Sequence, residues 1–137
     1  MRDYLFRGKR ESDGKWLYGI YSDDYVHDTD FPCIFPLRSE HDDGDWSVIR
    51  ETVGQYTGLT DKSDNRIFEG DILEFTYDYG EKSLHIVQWS ADYSGWATRS
   101  IDMQCDPATM DFWDDYRECY EVIGSIHDNP ELMKEKN

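Results

Sequence analysis

The stretch 52–75 constrains the fold more than any other part of the sequence. Two short β-like runs flank a turn cluster there, and an alternating apolar pattern follows over 72–77. Gly54, Gly58 and Gly70 stand among β-branched and aromatic residues, so each is expected at a bend or a close backbone approach. The stretch therefore predicts tightly turned β structure, and it contains neither a nucleophile with its base nor a phosphate-binding loop.

Alternation elsewhere predicts more strands. Runs at 4–7 and 15–21 are expected to form a hairpin around Ser12-Asp13-Gly14, because Gly accepts the positive φ of a turn. The two prolines of 31–37 limit that segment to an edge strand, since proline cannot donate to a ladder. The further predicted strands are 46–49, 83–89, 96–101 and 121–127.

Helical signals are few. Asp106-Pro107 predicts a short helix over 108–116, and Asn129-Pro130 predicts a terminal helical turn over 131–136. Aromatic residues make up 15% of the 137 residues, which favours sheets over a helical bundle. Short strands separated by frequent turns are typical of a small barrel.

The charge is strongly negative. The net charge is −16, with 9 − 14 = −5 over residues 1–68 and 5 − 16 = −11 over 69–137. Such a field repels phosphates, so we expect no direct binding to nucleic acid or to an anionic membrane. The acidity suits solubility, or docking to a host protein with a basic surface. With no apolar run of membrane-spanning length and no hydrophobic N-terminal signal region, a cytoplasmic location is expected.

Candidate chemistry is thin. Cys33, Cys105 and Cys119 are odd in number and lack Cys-x-x-Cys spacing, which favours reduced thiols. The acidic loops 22–30 and 40–45 raise a metal hypothesis, but the second does not fit a calcium-binding loop. We therefore expect no metal, no cofactor and no catalytic residue.

Histidines also point away from catalysis. The four His lie in different segments, and His85 falls inside an alternating strand, where a solvent-facing or hydrogen-bonded role is expected. Thiol–imidazole pairing of His127 with Cys105 or Cys119 lacks an activating environment, because neighbouring Asp and Glu raise a Cys pKa.

Aromatic residues are the candidate interaction surface. A chain of this length has little interior for 21 rings, so some are expected in an interface. Self-association, a groove for proline-rich peptides and simple core packing are the alternatives for this set. The candidate residues are Tyr93, Trp96, Phe112, Trp113 and Tyr116.

Short motifs spread along nearly the whole chain carry a resemblance to one protein family. They are Arg7-Gly8-Lys9-Arg10, Trp16, Tyr18-Gly19, the run 52–59, Asp61-Lys62, and the runs 67–72, 122–126 and 129–132. With these residues the chain resembles the YopX family of phage and prophage proteins, and the motif 55–58 followed by 69–72 is the most specific part of the likeness. One departure lies at 62–65, where relatives tend to have Lys-Asn-Gly and this chain has Lys-Ser-Asp-Asn.

The resemblance implies a C-terminal SH3-like barrel over 52–137 and an N-terminal β region over 1–51, with short helices. It defines no catalytic residue. The central motif is expected to be structural, with Asp71 accepting backbone N–H bonds from the turn before it. The motif residues are Gly54, Gln55, Tyr56, Thr57, Gly58, Glu69, Gly70 and Asp71.

Three functions are compatible with these observations. The first is a non-enzymatic phage-type accessory protein that forms homo-oligomers and works through protein contacts. The second is an acidic mimic of nucleic acid that inhibits a basic host protein, suggested by the net charge of −16. The third is a metal-dependent hydrolase, which rests only on scattered Asp and His.

Overall fold

A computed structural model describes residues 5–22, 32–36, 46–91, 94–101, 108–109 and 116–133. Within these residues the chain forms ten β-strands joined by turns and short 3-10 segments. The mainly β fold class predicted from the aromatic, alternating sequence is therefore confirmed.

The chain separates into two units, unit 1 (1–56) and unit 2 (57–137). Strand β4 (Gly54–Thr60) begins in unit 1 and ends in unit 2, so the division falls within a strand and not in a linker. The sequence-based division between 51 and 52 lies a few residues earlier and stays a prediction.

Unit 1 is built on the predicted hairpin. Strands β1 (Phe6–Lys9) and β2 (Trp16–Ser22) pair antiparallel, and β3 (Cys33–Pro36) pairs with β2 at the sheet edge, as its prolines predicted. The other side of β1 pairs with the start of β4. The predicted strand 46–49 contributes only the isolated bridges of Ser47 and Val48.

The β1–β2 turn is closed by an acidic side chain. Asp13 accepts hydrogen bonds from the Arg10 guanidinium and from the Lys15 N–H at 3.1 Å. The Arg10 hydrogen bonds, followed by that of Lys15, hold the pKa of the Asp13 carboxyl well below its usual range. Gly14 completes the turn with a φ of 73°, which glycine adopts without strain.

The core of unit 1 lies under one face of this sheet. Leu17, Ile34 and Val48 are fully buried there, one from each of three chain segments. Gly19 permits the close approach of β2 and β3, because a Cβ at that position would lie 2.0 Å from the Phe35 carbonyl oxygen. Partly buried side chains complete the cluster: Phe6, Tyr21, Trp46 and Val53.

Unit 2 contains the end of β4, hydrogen-bonded to β5 (Arg66–Phe68), and a second antiparallel sheet. Its strand order is β10-β6-β7-β8-β9. The strands predicted at 72–77, 83–89, 96–101 and 121–127 are confirmed. The bounds are β6 Asp71–Thr76, β7 Lys82–Ser90, β8 Gly95–Ser100, β9 Ala108–Thr109 and β10 Tyr120–Ser125.

The closed SH3-like barrel implied by the resemblance is not confirmed. In the described part of the chain neither sheet closes on itself, since the end strands β10 and β9 of the second sheet are not neighbours. The core of unit 2 consists of Ile67 from β5, Leu73 from β6 and Val87 from β7. Leu59, Trp96, Tyr120 and Val122 pack against these three.

The predicted helix over 108–116 is wrong at its start. Ala108 and Thr109 form β9 and pair with Thr98 and Ala97 of β8, so tertiary pairing overrides the Asp-Pro start signal. Residues 110–115 lie outside the described residues. The terminal helical turn is confirmed as a 3-10 segment over Pro130–Met133, and 134–136 lie outside the described residues.

Candidate interaction surface

The first half of the family motif builds β4. Gly54 and Gln55 pair with β1, and the Tyr56 N–H donates to the Leu5 carbonyl at 2.7 Å. The Thr57 hydroxyl donates to the carbonyl of Ile67 at 2.8 Å. These residues therefore hold strands in register.

The second half of the motif builds the β5–β6 turn. Gly70 in this turn has a φ of 88°, a value that favours glycine, as does the φ of 86° at Gly58 in β4. Glu69 and Gly70 form the turn, and the buried Asp71 carboxylate accepts the Phe68 N–H at 2.7 Å. This is the hydrogen bond that the sequence predicted for Asp71.

Asp61 carries a hydrogen-bond network that sequence reasoning missed. Its fully buried carboxylate accepts the N–H groups of Ser63 at 2.9 Å, Asn65 at 2.8 Å and Val122 at 2.9 Å, and the Asn65 side-chain amide at 3.1 Å. Burial alone raises the pKa of Asp61, but the hydrogen bonds led by Val122 outweigh it and lower the pKa. The signal was an Asp four residues before an Asn in a turn, which is typical of side-chain to backbone bonding.

The end of β10 is fixed in a similar way. The Asn129 side-chain oxygen accepts the Ser125 N–H at 3.2 Å, and a Cβ at Gly124 would lie 2.2 Å from that oxygen. The Asn129 carbonyl accepts the Leu132 N–H, so Asn129 joins strand and 3-10 turn. Gly124, Ser125 and Asn129, which carry part of the family resemblance, therefore fix the end of β10.

The predicted aromatic surface is described only in part. Trp96 packs against the core of unit 2 and contacts Trp89 edge-on, with ring centroids 5.3 Å apart. Tyr116 is 53% exposed. Tyr93, Phe112 and Trp113 lie outside the described residues, so the five-residue surface stays a prediction.

A different apolar surface lies on the outer face of β2. Leu17 and Gly19 point to the core of unit 1, whereas Trp16, Tyr18 and Ile20 alternate onto the other face. Tyr18 is 46% and Ile20 55% exposed. An antiparallel sheet usually turns polar residues to water, so three apolar residues in a row are unusual there. We call Trp16, Tyr18 and Ile20 the β2 outer face.

Cations border this face. Lys9 and Arg7 of β1 lie opposite Trp16 and Tyr18. The Arg7 guanidinium carbon lies 4.4 Å and the Lys9 Nζ 5.5 Å from the centre of the Trp16 ring, within cation–π range. No acidic residue occurs in β1, β2 or β3, in a chain that contains 30. Arg7 is only 7% exposed and Lys9 is half-buried, so both cations pack on the Trp16 ring, and the exposed part of the face consists of Tyr18 and Ile20.

A second group of rings lies in unit 2. Ring centroids are 5.3 Å apart for Tyr79 and Tyr77, 4.8 Å for Tyr77 and Phe75, and 4.8 Å for Phe75 and Tyr120. We call these four residues the aromatic ladder. Burial raises the pKa of the Tyr120 hydroxyl, although its hydrogen bond with Thr98 acts in the opposite direction.

A serine and a histidine adjoin the ladder. Ser83 Oγ lies 2.8 Å from His85 Nε2 and 3.3 Å from the Tyr77 hydroxyl. The hydrogen-bonded role expected for His85 is confirmed. Catalysis by such a pair further requires a group that orients the imidazole and donors for an oxyanion, so the Ser83–His85 hydrogen bond does not by itself define a hydrolase.

The described residues also bear on the metal, thiol and membrane hypotheses. The described segments contain no group of three or more His, Cys, Asp or Glu placed to hold a metal ion. The acidic loops 22–30 and 40–45 lie almost entirely outside those segments. Cys33 and Cys119 are free thiols, and Cys105 falls in 102–107, which the structure does not describe. None of the helical segments that the structure describes is long and apolar enough to span a membrane.

Fold and surface together define a mainly β protein of two units whose motif residues shape its strands and turns. The chain belongs to the YopX family, since the family model described as YopX protein matches residues 5–134. No curated protein matches the chain.

A solved structure supports the fold. The crystal structure of protein EF1440 from Enterococcus faecalis is similar, with a TM-score of 0.52 and 22% sequence identity. The match covers 98% of this chain and 100% of the other. At 22% identity the likeness shows a shared fold alone.

Proposed function

We propose that this protein is a cytoplasmic, non-enzymatic interaction module of phage type that self-associates through the β2 outer face. The observation that carries the proposal is the apolar row of Trp16, Tyr18 and Ile20, of which the last two are about half exposed. Exposed apolar residues in a contiguous group mark protein interfaces. Membership of the YopX family fits a phage-type protein.

Charge favours a second copy of the chain as the partner on this face. Two molecules of net charge −16 repel one another, so they can approach most easily where acidic groups are missing. The strands β1 to β3 contain no Asp or Glu, so no carboxylate of these strands flanks the apolar row. Two copies related by a two-fold axis would then bury the same face on each other.

Light scattering of the purified full chain across micromolar concentrations tests self-association. We expect a mass that rises above that of one chain as concentration increases. A mass of a single chain throughout would contradict the proposal.

An acidic mimic of nucleic acid is the second candidate, and the −11 carried by residues 69–137 favours it. Capture of a basic host protein that is lost steeply as salt screens the charges would support this function. Equal capture at low and high salt would speak against it.

A further inference from the structure

The turn between β6 and β7 is a second exposed surface, and it lies in unit 2. Tyr79 is 71% exposed there and stacks on Tyr77 with an interplanar angle of 16°. The stack leads into the half-buried part of the aromatic ladder at Phe75 and Tyr120. A ring face is therefore open to solvent at the end of a continuous row of rings.

Backbone hydrogen bonds hold this turn in a defined shape. The Tyr77 N–H donates to the Glu81 carbonyl at 2.8 Å, and the Gly80 N–H donates to the Tyr77 carbonyl at 2.9 Å. Gly80 has a φ of 89°. A three-residue loop closed in this way with glycine in the left-handed region is a common hairpin turn. The positions of Asp78, Tyr79 and Glu81 are thus fixed relative to the strands.

Two carboxylates flank the exposed ring without local compensation. Asp78 and Glu81 are both exposed, and neither forms an ion pair within the described residues. The neighbouring Lys82 is engaged by Glu74 at 3.2 Å. Tyrosine ring faces attract cations, and adjacent carboxylates add to that attraction.

We propose that this turn binds an extended segment of a partner protein that carries arginine or lysine. A guanidinium or ammonium group lies over the Tyr79 ring and faces Asp78 and Glu81, while apolar parts of the segment contact Phe75 and Tyr120. The negative charge of unit 2 selects a basic segment and repels nucleic acid and anionic lipid. This surface and the β2 outer face belong to different units, so either proposal can fail alone.

Fluorescence anisotropy with a labelled arginine-rich peptide and the full chain tests this surface. We expect saturable binding that Tyr79→Ser weakens about three- to thirtyfold, the range of a cation–π contact. The double variant Asp78→Asn and Glu81→Gln is expected to weaken binding and to reduce its salt dependence. A glutamate-rich peptide of the same length should not bind.

Two matched controls separate a defined site from general acidity. Glu11→Gln with Glu51→Gln removes the same charge from exposed positions in unit 1, and Trp89→Ser removes a half-exposed ring from unit 2 at the end of β7 far from the turn. Both should leave the affinity within about twofold of wild type. No saturable binding of the arginine-rich peptide, or equal losses in the controls, would overturn the proposal. Circular dichroism confirms that each variant is folded, and light scattering reports self-association independently.

Discussion

Asp61 joins the β4–β5 turn to β10 through one buried carboxylate. Asp61→Asn keeps the shape but replaces one acceptor oxygen by a donor. If the amide nitrogen takes the place of Oδ2, the Val122 N–H and the Asn65 side-chain amide both lose their acceptor. If it takes the place of Oδ1, the Ser63 and Asn65 backbone N–H groups lose theirs. We expect unit 2 to lose about 2 kcal/mol of unfolding free energy, the usual cost of an unpaired buried polar group. Urea unfolding at neutral pH measures the change.

The same residue makes a prediction about pH. Because folding lowers the pKa of Asp61, its charge contributes stability above the unfolded value of 3.8, and that stability is lost as pH falls through the folded pKa. The deficit of Asp61→Asn should therefore shrink below about pH 3.8. Asp64→Asn is the control, since its carboxylate is 86% exposed and pairs only at the surface with Arg117. An Asp61→Asn deficit that stays constant down to acid pH would contradict this account.

Gly124 and Asn129 form a coupled pair of residues. A methyl group at 124 collides with the Asn129 side chain, so Gly124→Ala is expected to cost about 1–3 kcal/mol. In an Asn129→Ala background the collision disappears, and Gly124→Ala should cost clearly less. Urea unfolding of the two single variants and the double variant measures the coupling. Strictly additive losses would show that the two residues act independently.

At the scale of elements, the β6–β7 turn depends on the backbone conformation of Gly80. Space is not limiting there, because a Cβ at Gly80 meets nothing within 4 Å, but the φ of 89° strains any other residue. Gly80→Ala is expected to destabilise the protein by about 1 kcal/mol and Gly80→Asn by less, since Asn tolerates the left-handed region. Chemical denaturation compares the two, and a larger loss for Asn would contradict the prediction.

Most strands were predicted from the sequence, whereas neither of the two proposed surfaces was. Alternation and turn residues report local structure, so β6, β7 and β10 were found within one or two residues. The strand pairing of Ala108–Thr109 is a long-range effect that a local helix signal cannot reveal. The β2 outer face could have been recognised in the sequence, because Trp16, Tyr18 and Ile20 alternate with Leu17 and Tyr21 and thus place apolar side chains on both faces of one strand.

At the scale of the whole molecule, charge gives the two surfaces opposite responses to salt. Added salt screens the repulsion between chains of net charge −16, so self-association through the β2 outer face should strengthen. Binding of a basic segment at the β6–β7 turn should weaken under the same conditions. Sedimentation and anisotropy titrations at low and high salt measure both, and a shared direction would show that one surface is wrongly assigned.

Sedimentation equilibrium of wild type against Tyr18→Ser with Ile20→Ser tests the central claim most directly. Removing two half-exposed apolar side chains should weaken the dimer by about 2 kcal/mol, or roughly thirtyfold in Kd. The matched variant Tyr79→Ser with Ile123→Ser, both exposed in unit 2, should leave the dimer unchanged. A dimer that withstands the β2 variant but dissociates in the unit 2 variant would contradict the assignment of the β2 outer face.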